Sequence, residues 1–225
     1  MTPVTPALSR ALPALFDAER DVRRLHAEVV KSDHAVLVPE LASAVSAAIR
    51  LEDEDEMALR LVRLSALLGE LEGPIAVDLL IDILGCDEPE GRHAAGEALQ
   101  ELAYDRFKEV ALGVERALSR VPEGNLALSE LPYLLAEVPE PGVRKLLARF
   151  LAHKDPEAVA AAIEALVESG DDGSAGLLAP LEQDTREVQL EDGEGEEGRV
   201  TLGELASEAR KLLLAMSEQR NTGGR

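Results

Sequence analysis

Pro89-Glu-Gly-Arg-His-Ala-Ala-Gly-Glu-Ala-Leu99, Pro122-Glu-Gly-Asn-Leu-Ala-Leu-Ser-Glu-Leu-Pro132 and Pro156-Glu-Ala-Val-Ala-Ala-Ala-Ile-Glu-Ala-Leu166 align without gaps and recur at a near-constant interval. Each opens on Pro and Glu, places an alanine (Ala94, Ala127, Ala161) in the second turn and a glutamate (Glu97, Glu130, Glu164) one turn beyond it. Proline suits a first helical turn, where the amide it lacks would have no partner, and a nearby Glu complements the helix dipole. A small Ala on the inner side permits close helix approach. A fixed period of this kind marks an array of similar units.

A second helix follows each of these in the same phase. Val77, Val110 and Val143 are equally spaced and open apolar stripes with steps of three and four, the mark of amphipathic helices. The pattern predicts first helices near 8–31, 54–72, 88–104, 122–136 and 156–169, and second helices near 36–50, 74–86, 106–120, 141–153 and 175–183. That is an all-α chain of about five helical hairpins. One such hairpin cannot bury its apolar stripe alone, so neighbours must stack to make a continuous core.

The segments DEPEGRHAAGEAL (87–99) and KDPEAVAAAIEAL (154–166), each an acidic or Pro turn feeding an Ala-rich helix, resemble the HEAT-like repeat superfamily, in particular the bacterial repeats grouped with phycobilisome lyases. The resemblance spans residues 36–215. It implies a right-handed α-solenoid and a scaffold or adaptor function, with enzymes in the minority.

The array is interrupted near its end. Thr185 to Leu190 alternates like a strand, EDGEGEEG follows, and Arg199 to Leu202 pairs back, so a short acidic β-hairpin is expected at about 185–202. Thr201-Leu-Gly-Glu204 has the capping-box pattern and starts a closing helix to about 217. A single domain over 1–219 is expected, with 220–225 a disordered tail.

Composition agrees. Of 225 residues, 38 are Leu and 33 Ala, Trp is absent, and Tyr and Phe total five, which excludes an all-β chain rich in aromatic and β-branched residues. The formal charge is −21. Residues 1–50 carry 6 acids and 6 bases, 51–100 carry 13 and 3, 101–150 carry 8 and 7, and 151–225 carry 17 and 7. Nucleic-acid binding needs a basic stripe to neutralise phosphate, and docking on an anionic membrane needs the same, so neither is expected. No window is apolar enough for a membrane span, no signal peptide is evident, and a cytoplasmic location is expected. With Cys86 as the sole cysteine, no intramolecular disulfide or thiolate zinc cluster can form.

Motifs for chemistry are absent or physically wrong. Gly193-Glu-Gly195-Glu-Glu-Gly198 spells GxGxxG, yet its carboxylates would repel a phosphate. These acids and Asp171-Asp172 lack the alternating oxygen ligands of an EF-hand. His26, His34, His93 and His153 stand singly, without the His-Glu pairs of the iron hydroxylases built on similar repeats. Cys86 has no sequence-adjacent base. The resemblance raises a bilin-lyase activity, but a tetrapyrrole pocket wants aromatics and cations that these helices scarcely offer. A DNA glycosylase would want a stacking platform and a phosphate groove. No cofactor or metal is expected.

A binding surface remains. On the second helices Asp78 and Asp82 share a face, Glu115 falls one repeat after Asp82, and Arg144, Lys145 and Arg149 reverse the sign on the next helix. The expected partner-binding set is therefore an acidic stripe of Asp78, Asp82 and Glu115 for a basic protein, with Arg144 and Arg149 setting orientation. The expected function is a non-enzymatic scaffold, adaptor or regulatory subunit. An immunity-type antagonist of a basic protein is the alternative within that class, and a lyase-like enzyme the alternative outside it.

Overall fold

The computed structural model describes residues 6–170, 172–191 and 197–223. They form ten α-helices and one two-stranded sheet. The helices α1 (Pro6–Val30), α2 (His34–Ala48), α3 (Glu54–Gly69), α4 (Pro74–Leu84) and α5 (Pro89–Arg120) are followed by α6 (Leu126–Ala136), α7 (Val143–Phe150) and α8 (Pro156–Glu168). The short α9 (Ala175–Leu178) is flanked by 3₁₀ turns. Strands β1 (Glu187–Glu191) and β2 (Glu197–Thr201) then lead into α10 (Leu202–Gly223).

Side-chain caps explain most of the helix starts. Asp33, Asp53, Glu88, Asn125 and Asp155 each accept a hydrogen bond from a first-turn amide, satisfying a donor that has no partner within the helix. The expected capping box closes at α10: the Thr201 amide donates to Glu204 at 2.9 Å, and the Glu204 amide donates to Thr201 Oγ1 at 3.2 Å.

The middle copy of the repeat starts later than its alignment suggests. Glu88 and Asp155 precede Pro89 and Pro156 and cap them, whereas Pro122 is preceded by Val121, which has no side-chain acceptor to offer. The chain instead turns through Gly124, at φ 80°, a conformation glycine adopts freely, and α6 begins after Asn125.

Further differences lie toward the C-terminal end. The helix expected near 175–183 is a single α-helical turn between 3₁₀ turns, as Gly173, Gly176 and the amide-lacking Pro180 favour. The β-hairpin forms in the register Val188↔Val200 and Gln189↔Arg199. Its acidic tip, residues 192–196, lies outside the described residues, as does Asp171, so the GxGxxG-like and calcium-loop readings fall largely there. Helix α10 continues to Gly223, through most of the segment expected to be a disordered tail; residues 224–225 are not described.

Packing follows chain order. Helix α3 contacts α4 and α5, α4 contacts α5 and α6, α6 contacts α7 and α8, and α8 contacts α10. Helix α5 spans two of the expected helices, merged across a kink at Arg106 (φ −137°, ψ 47°). Its first arm (89–105) meets α3, where Gly91 faces Leu61, and its second (107–120) meets α4. The second approach is close: a Cβ on Gly113 would stand 2.3 Å from Val77 Cγ1. Leu61, Leu68, Leu80, Ile81, Leu99, Leu128, Leu147, Phe150 and Ile163 are among the fully buried side chains of one continuous core. Small residues of α8, Ala158 and Ala160 to Ala162, are buried where helices meet.

Long polar side chains tie one pair of helices to the next. Arg106 donates twice to the Leu71 carbonyl at 3.0 Å and once to that of Gly69, at the end of α3. Further along the chain, Arg186 donates in the same way to the carbonyls of His153 and Lys154 at 2.9 Å. His153 donates from Nε2 to Leu118 O and accepts from the Asp155 amide at Nδ1, which fixes its tautomer.

Candidate functional site

The second helices carry the acidic residues that the sequence singles out, and each carboxylate meets an arginine of the following helix. Asp78 on α4 receives Arg116 from the second arm of α5 in a forked contact, Nε at 3.1 Å from both oxygens and Nη2 at 2.9 Å from one. Asp82, one turn on, receives Arg120 at 2.5 Å. Glu115 receives Arg149 of α7 at 2.6 Å. Arg144 is exposed on the first turn of α7. The five residues thus lie on successive second helices, but the three carboxylates and Arg149 satisfy one another or their neighbours within the chain. Planar guanidinium forks suit such carboxylate contacts.

Arg116 and Arg120, which pair with these carboxylates, are the residues the sequence reading passes over. Their spacing of four matches that of Asp78 and Asp82, and that match is the available signal. The repeat period compares like positions on successive helices, whereas the partners of Asp78 and Asp82 lie 38 residues on, several positions off it.

Among the described residues, acid without an ion-pair partner lies on α8 and α10. Between α8 and α10 runs a groove of about 370 Å³ with an apolar floor of Ile163, Val167, Leu205, Ala209 and Leu212. Glu164, Glu168, Glu208 and Tyr133 edge it. Tyr133 donates to Glu164, and burial together with that bond raises its phenol well above the ordinary range, so it remains a neutral donor. Glu168 and Glu208 make no ion pair among the described residues. A second groove of about 380 Å³ lies between α5 and α6, with Gly96 and Leu134 in its floor. Glu97 and Glu130 on its edge have His93 and Arg92 beside them at 3.5 and 3.8 Å.

A larger depression, about 780 Å³, opens at the α5 kink beside Phe107 and Leu112. Three of its polar side chains are already engaged, while Asp105 and Lys108 on its edge are exposed. Arg106 holds the end of α3, Glu109 accepts from the Gly73 amide at 2.7 Å, and Arg116 holds Asp78. Among the described residues, no nucleophile, base and orienting group converge there.

Cys86 is buried, and burial pushes its thiol up, away from the reactive thiolate. Among the described residues no group of three or more His, Cys, Asp or Glu is arranged to hold a metal ion, and no helix is long and apolar enough to cross a membrane.

No family model matches the sequence, and no curated protein matches it. A solved structure described as an engineered protein aligns over 86% of this chain and 89% of its own, at 18% identity and a TM-score of 0.33, a likeness too slight to carry a structural or functional argument.

Proposed function

We propose that this chain is a HEAT-like α-solenoid that works by binding another protein, as a scaffold, adaptor or regulatory subunit, and catalyses no reaction. Packing of helices in chain order and the near-constant sequence period support the architecture. The observation that carries the function is the apolar groove between α8 and α10, edged by Glu164, Glu168 and Glu208. Apolar floor and acidic rim together suit a basic, amphipathic segment of a partner, with charge supplying rate and orientation and the floor supplying affinity.

The stripe of Asp78, Asp82 and Glu115 plays a lesser part. Its carboxylates are matched by Arg116, Arg120 and Arg149, so that face presents mixed charge and contributes orientation more than attraction. A cytoplasmic location suits the chain as well, since a lone buried thiol needs no disulfide partner.

The test is affinity capture from a lysate of the source organism at low and moderate salt, with wild type beside Glu168→Lys/Glu208→Lys. One stoichiometric protein, retained less at higher salt and lost with the double variant, is the expected result. Equal retention by the folded double variant would remove the groove from the proposal, and no retained protein at either salt would remove the binding function.

A further inference from the structure

On α10 the apolar floor of the groove belongs to a longer stripe. Leu202, Leu205, Ala209, Leu212 and Met216 follow one another at alternating steps of three and four, the spacing of a heptad seam. At 3.6 residues per turn they share one side of the helix, and no charged residue falls between them on it. Ala206 and Leu213, both buried, border the stripe on the core side, and Glu208 borders it on the other. The stripe begins in the core and emerges from it: Leu202 and Ala209 are buried, while Leu212 and Met216 are 50 and 38% exposed. Helix α8 supplies the facing wall through Ile163 and Val167, one turn apart.

The walls decide what form an occupant takes. Helices α8 and α10 spend their backbone amides and carbonyls on their own turns, so neither offers a strand edge to pair with. An extended segment would lay unpaired backbone groups of its own against an apolar floor, which is costly. A polyproline segment needs an aromatic-lined groove, and Tyr133 is the one aromatic among the residues lining this one. A helix satisfies its own backbone and matches the seam.

Charge selects its sequence. Glu164 and Glu168 on the α8 side and Glu208 on the α10 side make no ion pair among the described residues. The cations of this part of α10 stand off the stripe: Arg210 pairs with Glu182 at 2.7 Å, and helical spacing puts Lys211 beyond Glu208. A second copy of this chain would set its own glutamates against these three, so like charge turns it away. From Leu205 to Met216 the stripe is about 16 Å long at 1.5 Å per residue, or about three turns. On the reading that this groove is the binding site, we propose that the partner segment is a single α-helix of that length, with its own heptad seam laid along Leu205, Ala209, Leu212 and Met216 and with Arg or Lys flanking that seam opposite Glu164, Glu168 and Glu208. Leu212, half uncovered in the free chain, gains most from the contact.

Fluorescence anisotropy of the full chain with a labelled two-heptad peptide, Leu at a and d, Arg at e and g and Ala elsewhere, tests the proposal. Two comparison peptides have the same composition in scrambled order and a proline at the centre. The heptad peptide should bind with a micromolar dissociation constant and become helical, and the other two should bind about tenfold more weakly or worse. Leu212→Gln and Met216→Gln, at exposed positions and with unchanged far-ultraviolet circular dichroism, should weaken it by about the same factor, as should Glu168→Lys/Glu208→Lys and rising salt. Equal binding of all three peptides would show capture by charge alone and overturn the helix. Undiminished binding to Leu212→Gln and Met216→Gln would do the same. A heptad peptide that does not bind also overturns it: if capture from lysate still depends on Glu168 and Glu208, the groove stands without the helix, and if that dependence is lost as well, the groove reading falls too.

Discussion

Replacing Arg106 by alanine removes the clamp at the α5 kink. Its guanidinium makes two 3.0 Å bonds to the Leu71 carbonyl and a longer one to that of Gly69, and lies 3.5 Å from Glu109, which holds the Gly73 amide. It therefore closes the end of α3 and steadies the turn into α4 from α5. A hydrogen bond from a charged group contributes about 1.5–3 kcal/mol net, but these bonds share acceptors. The side chain is also one-quarter exposed, so water reaches part of what is vacated. One bond's worth, about 2 kcal/mol, is the appropriate magnitude, which at this chain length lowers Tm by roughly 4–8 °C. Arg106→Lys keeps the charge but loses the fork, and should recover about half of that loss. Thermal melts followed by circular dichroism, with urea titrations to confirm an unchanged m-value, read the effect. A Tm for Arg106→Ala within about a degree of wild type would refute the claim that this side chain couples α3 to α5.

Three further outcomes follow from neighbouring features. Asp78→Lys faces Arg116 with a like charge and should cost about 1 kcal/mol, while the exchanged pair Asp78→Arg/Arg116→Asp should recover most of it; equal melting of the single and exchanged variants would show that the fork contributes nothing. Gly113→Ala gains about 1 kcal/mol of helix propensity but drives a methyl into the buried Val77, so a net loss of about 1 kcal/mol is expected, and Gly113→Ala/Val77→Ala should show compensation in the same urea titration. The Arg186 guanidinium beside Asp184 holds that carboxyl below its ordinary value of 3.8. A lowered folded pKa means stability present above the unfolded value and lost as pH falls through the folded one, so acid unfolding below about pH 4 should be less steep in Asp184→Asn, and superimposable acid titrations would count against this linkage.

How much of this is legible in the sequence depends on the range of the interaction. Helix starts at Pro89 and Pro156, the strand pair and the Thr201–Glu204 box rest on neighbours close in the chain, and local spacing reveals them. Pro122 looks like its two counterparts because the segment after it matches, while the deciding difference, Val121 in place of an acidic cap, lies just outside that window. The charged faces are harder. Asp78 and Asp82 read as an unpaired stripe because their arginines come from a different helix far along the chain, and only packing brings the two together. The groove between α8 and α10 joins residues 133, 163–168 and 205–212, and the inserted hairpin between its walls hides their adjacency from any fixed repeat period.

Cys86 gives the molecule a built-in clock. It is the only thiol of the chain, buried where α4 ends, with its sulfur against the Glu88 carbonyl and its acidity suppressed by burial. A thiol-labelling reagent can react only when that junction opens, so every labelling event counts one excursion of the α4–α5 boundary and no other part of the protein contributes. The labelling rate thus follows the breathing of the α4–α5 junction, and a partner seated near the C-terminal groove that stiffens the whole molecule would slow this clock without touching the residue that keeps it.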